Sequence, residues 1–434
     1  MIGNPTRRHL LGGALTLPAS AALAATPDGP DASRSIAADL DRYIGFGVKQ
    51  SGGAGDTACG DWLDAELRAA GFAVERQPIS VPWFAPERCE LIAGPARAPV
   101  WPQPIVVPTP RDGLTARLVR VAPDGTSATP PAGAIALVEL PFARWSSVLT
   151  KAARSPIDAA FAGGARAVVA VTHGPTGGMI ALNTDGRKPL FPGPLALLAP
   201  NDAAPLLAAA SRGETATLHL SGRGGRRTAF NLVGRIDRGI GTWLVVSTPR
   251  SGWFTCAGER GGGIAAWLAL MRWAGKALPG LDLAFICNSG HEYEHLGAEE
   301  MLRAVAPPPA ATRFWLHLGA NLAARDWHEG IGAPRPLPSA DPQRYLSVSR
   351  ALLPAARRVF AGRAGLEAPY ASDTLSAGEL NNIIAAGYPM VAGVFGLHRY
   401  HHVAEDDARC IDAEEVARTA AAFRALLVDA VKPG

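Results

Sequence analysis

The stretch Leu283-Ala-Phe-Ile-Cys-Asn-Ser-Gly-His-Glu-Tyr-Glu-His-Leu-Gly-Ala-Glu299 carries the pattern that decides the fold. It opens with a short apolar run that ends at the turn-like Asn288-Ser-Gly290, which is typical of a buried strand in a parallel sheet. Ligands of open α/β sheets bind beyond the carboxyl ends of the strands. Residues 291–295 follow there and include two imidazoles and carboxylates, so they indicate a metal site.

Two other interpretations of this stretch stay open. In a HExxH motif, His291 and His295 hold zinc from one face of a helix, and Glu292 is the general base. That arrangement needs a continuous helix, whereas here a strand leads directly into the motif and Gly297 follows at once. The other interpretation is a polar loop between a strand and a helix, because His and Glu are common in exposed loops.

The composition predicts an ordinary globular protein of more than one domain. The chain has 434 residues, of which 48% are hydrophobic and 18% charged. Its 42 basic residues nearly balance its 38 acidic ones, so we expect no nucleic-acid partner. The five cysteines lack CxxC spacing, which gives no support to a structural zinc cluster.

The first 25 residues have the order of a twin-arginine signal peptide. Arg7-Arg8 precede an Ala/Leu/Gly stretch, and small residues near Ala24 and Ala25 offer a cleavage site. We therefore expect export to the periplasm or beyond. No later apolar run reaches membrane-spanning length, so no membrane contact is expected once the leader is removed.

The rest of the chain divides by pattern into a two-part domain and an insert. Residues 31–81 predict two helices and a strand, and residues 226–434 alternate strands and helices as in a parallel sheet. Between them, residues 82–225 are rich in proline and short strands, which indicates an inserted β-rich subdomain. The predicted fold class is α/β, with a mixed, mostly parallel sheet flanked by helices.

In this order the segments resemble the superfamily of zinc aminopeptidases, glutamate carboxypeptidases and glutaminyl cyclases. The matching segments are Asn231-Leu-Val-Gly234, the turn Cys256 to Gly263, the strand and turn Phe285 to Gly297, and His402-Val-Ala-Glu-Asp406. Residues 82–225 resemble the protease-associated insert of that superfamily. The resemblance covers essentially everything after the leader and implies a zinc exopeptidase-like fold.

The chain departs from the superfamily pattern at one of its two zinc ions. Ser247-Thr-Pro-Arg-Ser251 stands where the family has His-x-Asp, and a later Asp falls on or near Gly319. Both lost positions serve the same ion. The resemblance therefore implies one Zn²⁺, and a second ion is not expected.

The ligands of the remaining ion are preserved in kind. The resemblance places Glu259 at the bridging carboxylate, Glu292 at the metal-binding glutamate and His402 at the closing histidine. Two carboxylates and one imidazole leave a position for water, as in catalytic zinc sites. For Glu259 the alternative is a salt bridge to Arg250 or Arg260.

His291 stands where the family has its general base, and histidine can transfer protons near neutral pH. We assign His291 the catalytic role, and the alternative is that it is a fourth ligand of the metal ion. Four further residues are expected to contact substrate or to surround the ligands, although each is also compatible with plain packing: Trp253, His295, His317 and His401.

The function expected from this pattern is a zinc-dependent, exopeptidase-like hydrolase of an amide bond in a peptide or small amide. The alternative is a pseudopeptidase that lost the metal and acts as a binding module. The sequence leaves open the substrate, the oligomeric state, and the choice among aminopeptidase, carboxypeptidase and cyclase chemistry.

Overall fold

The computed structural model describes residues 30–329 and 333–432. The signal peptide predicted in residues 1–25 lies outside the described residues. No helix within the two described ranges is long and apolar enough to cross a membrane. The five cysteines fall within these ranges and are free thiols.

The secondary structure confirms the predicted alternation of strands and helices after residue 226. The strands are β1 Ala73–Ala93, β2 Ala96–Pro99, β3 Trp101–Pro102, β4 Leu114–Val121, β5 Ile135–Glu139, β6 Ala167–Val171, β7 Leu195–Leu198, β8 Thr215–Ile236, β9 Trp243–Pro249, β10 Asp282–Asn288, β11 Thr312–Leu318, β12 Arg325–His328, β13 Arg335–Ala340, β14 Arg344–Val348, β15 Tyr370–Ala371 and β16 Val391–Gly396. The α-helices are α1 Pro30–Gly45, α2 Ala54–Ala69, α3 Lys151–Ala162, α4 Pro200–Ser211, α5 Gly262–Ala277, α6 Leu296–Ala304, α7 Leu353–Val359, α8 Glu379–Ala385 and α9 Ala413–Val431.

The main sheet is mixed, and its centre is parallel. Its strand order is β15-β14-β16-β11-β9-β10-β8-β4-β5-β6-β7-β3. Strand β11 pairs in parallel with β16 and β9, and β9 pairs in parallel with β10. The carboxyl ends of these four strands consequently meet at one edge of the sheet, which confirms the predicted fold class.

Helices cover both faces of the parallel strands. One core packs α1, α2, α5 and α9 against one face, and a second core packs α6 and α8 against the other. Helix α5 is mostly apolar, with Trp267 and Met271 fully buried, and it stops before Pro279, since proline restricts the residue that precedes it. Asp412 caps the N terminus of helix α9, because its carboxylate accepts the backbone N–H groups of Glu414 and Glu415.

A long antiparallel ribbon, formed by β1 and β8, leads into the segment predicted as an insert. Its register runs from Ala73 opposite Arg235 to Ile92 opposite Thr217. The predicted boundaries face each other across the ribbon, because Pro82 pairs with Arg226, and both strands continue through them. Beyond the ribbon, strands β4 to β7 form two further cores with α3 and α4. The division into domains stays a prediction.

Candidate active site

The predicted site residues follow the carboxyl ends of the four central strands. Glu259 comes after β9, His291 and Glu292 come after β10, His317 lies at the end of β11, and residues 401–402 come after β16. Parallel strands end at the same edge of a sheet, so loops that are far apart in sequence converge there.

The loop after β16 fixes the turn that carries Glu259. This turn, Ala257–Gly261, is a short π-helix that leads into α5. The Asp406 carboxylate accepts hydrogen bonds from the backbone N–H groups of Gly258, at 2.7 Å, and Glu259, at 3.0 Å. The acid of the family-like motif at 402–406 therefore supports the Glu259 backbone directly.

Glu259, His401 and His402 bring ligand-type atoms together. One atom from each side chain lies within 4.8 Å of the other two, and all three residues are buried. The His401 and His402 rings stack, with centroids 3.9 Å apart. Among the described residues, neither oxygen of Glu259 and neither ring nitrogen of His401 has a hydrogen-bond partner. Buried polar atoms of this kind suit an ion.

His402 is held in the orientation of a metal ligand. Its Nδ1 lies 2.9 Å from the carbonyl oxygen of Ala181, and its own carbonyl accepts the Ala181 N–H at 2.9 Å. Donation from Nδ1 leaves Nε2 as the lone-pair nitrogen, and Nε2 lies 3.2 Å from Glu259 Oε1. The backbone φ of His402 is +59°, an uncommon value that this pair of contacts maintains.

Arg260 occupies the space beside the proposed ligand Glu259. Its Nη2 lies 2.6 Å from Glu259 Oε1, and both side chains are buried. The salt bridge weighed as an alternative for Glu259 is thus present. Burial raises the pKa of the Glu259 carboxyl group, but the Arg260 guanidinium, with smaller contributions from His402 and His401, outweighs burial and holds that pKa well below its usual range.

Glu292 is placed differently from the other two predicted ligands. Its Oε1 accepts the backbone N–H of Ser51 at 2.7 Å, and its Oε2 accepts the Ser251 hydroxyl at 2.8 Å. Burial raises its pKa. In the part of the chain that the structure describes, the three-residue donor group contains His401 and does not contain Glu292. The role of Glu292 as a ligand stays a prediction.

His291, the predicted catalytic residue, is oriented by a carboxylate outside the sequence motif. Its Nδ1 lies 3.0 Å from Glu379 Oε1, and Glu379 Oε2 accepts the amide of Asn288 at 3.0 Å. Burial and the charge of Arg260 lower the pKa of His291 well below its usual range. A neutral ring that donates from Nδ1 to Glu379 keeps its lone pair on Nε2.

His317 and His295 lie next to the pair formed by His291 and Glu379. Trp315 Nε1 donates to Ser247 Oγ at 2.7 Å, and Ser247 Oγ lies 2.9 Å from His317 Nδ1. Burial lowers the pKa of His317 to about 4. The His295 ring lies 4.8 Å from that of His291 and is half-buried. Neither histidine is part of the three-residue donor group.

Trp253 packs between the parallel sheet and the predicted insert. It is 1% exposed, and its Nε1 donates to Asn183 Oδ1 at 2.9 Å. Its ring makes edge contacts with Trp101 and Tyr293. The geometry therefore gives Trp253 a packing role, and its substrate contact stays a prediction. Through Asn183 and Ala181, the predicted insert supports the site.

Packing contacts account for the residues at the two positions where the resemblance predicts missing ligands. Arg250, in the turn after β9, is fully buried and lies 2.9 Å from Asp56 Oδ1. Its Nη2 donates to the carbonyl of Phe230 at 2.6 Å. At Gly319, a Cβ atom would collide with the carbonyl oxygen of Val394 on the neighbouring strand. An acid does not fit at that position without movement of the backbone.

The class that this architecture defines is the zinc aminopeptidase fold, which confirms the resemblance at the level of the fold. A zinc aminopeptidase from Bacillus subtilis, BSAP, matches with a TM-score of 0.73 and 17% identity over 92% of this chain and 95% of that one. A Peptidase M28 precursor from Shewanella amazonensis SB2B matches with a TM-score of 0.68 and 18% identity over 93% of each chain. An aminopeptidase from Aneurinibacillus sp. strain AM-1 matches with a TM-score of 0.65 and 17% identity over 93% of this chain and 94% of that one. No protein-family model and no curated protein matches the chain.

Proposed function

We propose that this chain is an exported, metal-dependent hydrolase that cleaves an amide bond at the end of a peptide or of a small amide. It holds one divalent ion, zinc, through Glu259, His401 and His402. Its place of action is the periplasm or the cell exterior, on the strength of the leader predicted in residues 1–25. The solved structures that share its fold include a zinc aminopeptidase, an aminopeptidase and a Peptidase M28 precursor.

One observation carries the proposal, namely the convergence of three buried ligand-type side chains at the carboxyl edge of the sheet. Mixed nitrogen and oxygen donors suit zinc, and three protein ligands are typical of catalytic rather than structural zinc. His402 already has the tautomer that a ligand requires, because Ala181 fixes its Nδ1. When bound, zinc in such a site acts as a Lewis acid toward a carbonyl group and lowers the pKa of water to about 7.

His291 moves the proton in this proposal. Its ring is neutral and Glu379 binds its Nδ1, so Nε2 is free to accept a proton from the attacking water and to pass it to the departing amine. Glu379 acts through His291 as a positioning residue. His291 is 8% exposed, more than Glu259, His401 or His402.

Metal content of protein purified without chelator tests this function, together with a peptide-library assay for hydrolysis. We expect one zinc ion per chain and its loss in Glu259→Gln and His402→Ala, whereas the exposed His328→Ala is the matched control that keeps it. Loss of the ion in Glu292→Ala as well adds Glu292 to the ligands. Two ions per chain contradict the single-ion site.

A metal-free binding module is the second candidate, and the Arg260–Glu259 ion pair favours it. The guanidinium group at 2.6 Å already neutralises the Glu259 carboxylate without an ion. Protein that carries no metal after growth with added zinc, and that binds peptides without cleaving them, supports this candidate over the hydrolase.

A further inference from the structure

The connector between helices α1 and α2, residues 46–53, contacts a loop of the proposed site through its backbone. The Lys49 N–H group donates to the carbonyl of Phe254 at 2.8 Å, and the Lys49 carbonyl accepts the N–H group of Gly252 at 3.2 Å. Both partners belong to the loop that runs from the end of β9 to the turn that carries Glu259. These two hydrogen bonds fix the connector against that loop.

The ammonium group of Lys49 holds the end of the same loop. It is fully buried, and its Nζ donates to the carbonyls of Gly47 at 2.5 Å and Thr255 at 3.3 Å. Nζ also lies 4.2 Å from the centroid of the Tyr43 ring, as in a cation–π contact. Thr255 precedes Cys256, whose φ of +56° leads into the π-helical turn. The buried charge therefore acts on the backbone just before that turn.

This cation is buried without an ion-pair partner. Among the residues that the structure describes, no carboxylate lies within salt-bridge distance of Lys49 Nζ. Burial lowers the pKa of the ammonium group, so its charged form is less stable here than in water. A methionine has a similar length and would fill the space without a buried charge. What the charge adds over such a side chain is its pair of hydrogen bonds to carbonyls, one of which fixes Thr255.

Ser51, two residues further along the connector, holds the turn after β10. Its side chain is buried, and its Oγ accepts the N–H group of Gly290 at 2.7 Å. Its backbone N–H donates to Glu292 Oε1, also at 2.7 Å. Arg227, on β8, links Ser51 to the sheet, because its Nε donates to the Ser51 carbonyl at 2.7 Å. Ser51 thus contacts the residues on both sides of His291.

We propose that the connector is a brace between these two loops of the site, and that Lys49 and Ser51 are its positioning residues. Lys49 fixes the Glu259 carboxylate for the ion through the loop that precedes it. Ser51 fixes the His291 ring for proton transfer through the residues that flank it. The roles of Glu259 and His291 rest on the proposed function, whereas the brace rests on the connector's own contacts.

Variants of the connector test the brace, and Val48→Ala is the matched control, because Val48 lies on the same connector and is 55% exposed. Zinc titration of chelator-treated Lys49→Met should show binding that is about 10- to 100-fold weaker, the usual effect of losing a residue that orients a ligand. With zinc at saturation, its kcat should stay close to the wild-type value. Lys49→Gln, which keeps an N–H donor, should recover part of the zinc affinity.

Ser51→Ala should have the reverse effect, because it keeps the backbone N–H that Glu292 accepts and loses the acceptor of Gly290. We expect wild-type zinc affinity and a kcat lowered by up to about 10-fold, the effect of one hydrogen bond.

Amide hydrogen exchange on the zinc-free protein tests the brace without metal or turnover. Exchange should become faster over residues 252–261 in Lys49→Met and at Gly290 in Ser51→Ala, with the other loop unchanged in each case. Val48→Ala should match the wild-type protein.

Faster exchange along the whole chain in Lys49→Met overturns the inference, because Lys49 then supports the fold in general. Wild-type exchange in both loops, together with wild-type zinc affinity and kcat, also overturns it and leaves the hydrolase function standing. If the wild-type protein binds no zinc and cleaves no peptide, the proposed function fails and the exchange pattern alone decides the brace. Local changes in exchange then support the brace, and their absence overturns it.

Discussion

The replacement Asp406→Asn tests the support of the Glu259 turn. The Asp406 carboxylate accepts two N–H groups, from Gly258 at 2.7 Å and from Glu259 at 3.0 Å. An asparagine at this buried position has one carbonyl oxygen, so it retains one of these bonds and turns an NH₂ group toward the other N–H. A hydrogen bond to a charged group contributes about 1.5–3 kcal/mol, and we expect that much loss in the free energy of unfolding.

The same change should weaken the metal site. Residues that orient metal ligands typically contribute a factor of about 10 to 100 in metal affinity. Denaturant unfolding and zinc titration of chelator-treated protein measure the two effects. Asp407→Asn is the matched control, because Asp407 is adjacent in sequence and its side chain, in a salt bridge with Arg409, is 42% exposed. Loss of such an exposed salt bridge should lower the free energy of unfolding by less than about 1 kcal/mol. If Asp406→Asn keeps both wild-type stability and wild-type zinc affinity, the turn does not depend on this carboxylate.

Three further predictions follow from the site and from the leader. His291→Ala should abolish hydrolysis yet leave the zinc content unchanged, and loss of zinc in this variant would make His291 a ligand. The pKa of His317 is about 4 in the folded protein against about 6.5 in the unfolded chain, so the free energy of unfolding should fall by up to roughly 3 kcal/mol as the pH falls from about 6.5 to about 4. His317→Asn should reduce this pH dependence. A urea-unfolding profile that does not change across that pH range would refute the lowered pKa of His317. Replacing Arg7 and Arg8 by lysine should trap the precursor in the cytoplasm on cell fractionation, whereas mature protein outside would exclude the twin-arginine route.

The sequence predicts the framework of the site because short-range patterns encode it. The apolar run at the start of Leu283–Glu299 predicts strand β10 and places His291 at its carboxyl end, which is where that residue lies. Likewise, the turn that carries Glu259 follows β9, and the structure places its carboxylate close to His402. Both results depend on local periodicity and on the rule that parallel strands end together.

The contacts that finish the site depend on tertiary structure and leave no local pattern. Glu379 begins α8, 88 positions after His291, and no motif connects the two residues. The support from Ala181 comes through its backbone, so its side chain gives no indication of it. His401 joins Glu259 and His402 in the donor group, and the positive φ of His402 is a backbone state that residue type does not specify.

The packing around Gly319 also constrains which side chains this position can accept. A mutation that introduces an acid at position 319 places a Cβ atom against the carbonyl oxygen of Val394, on strand β16, which pairs with β11 from Trp315 to Leu318. An acid at position 319 therefore requires a shift in the backbone of β11 or β16. Building a second ion site at this position by point mutation would destabilise the sheet before it could add a ligand.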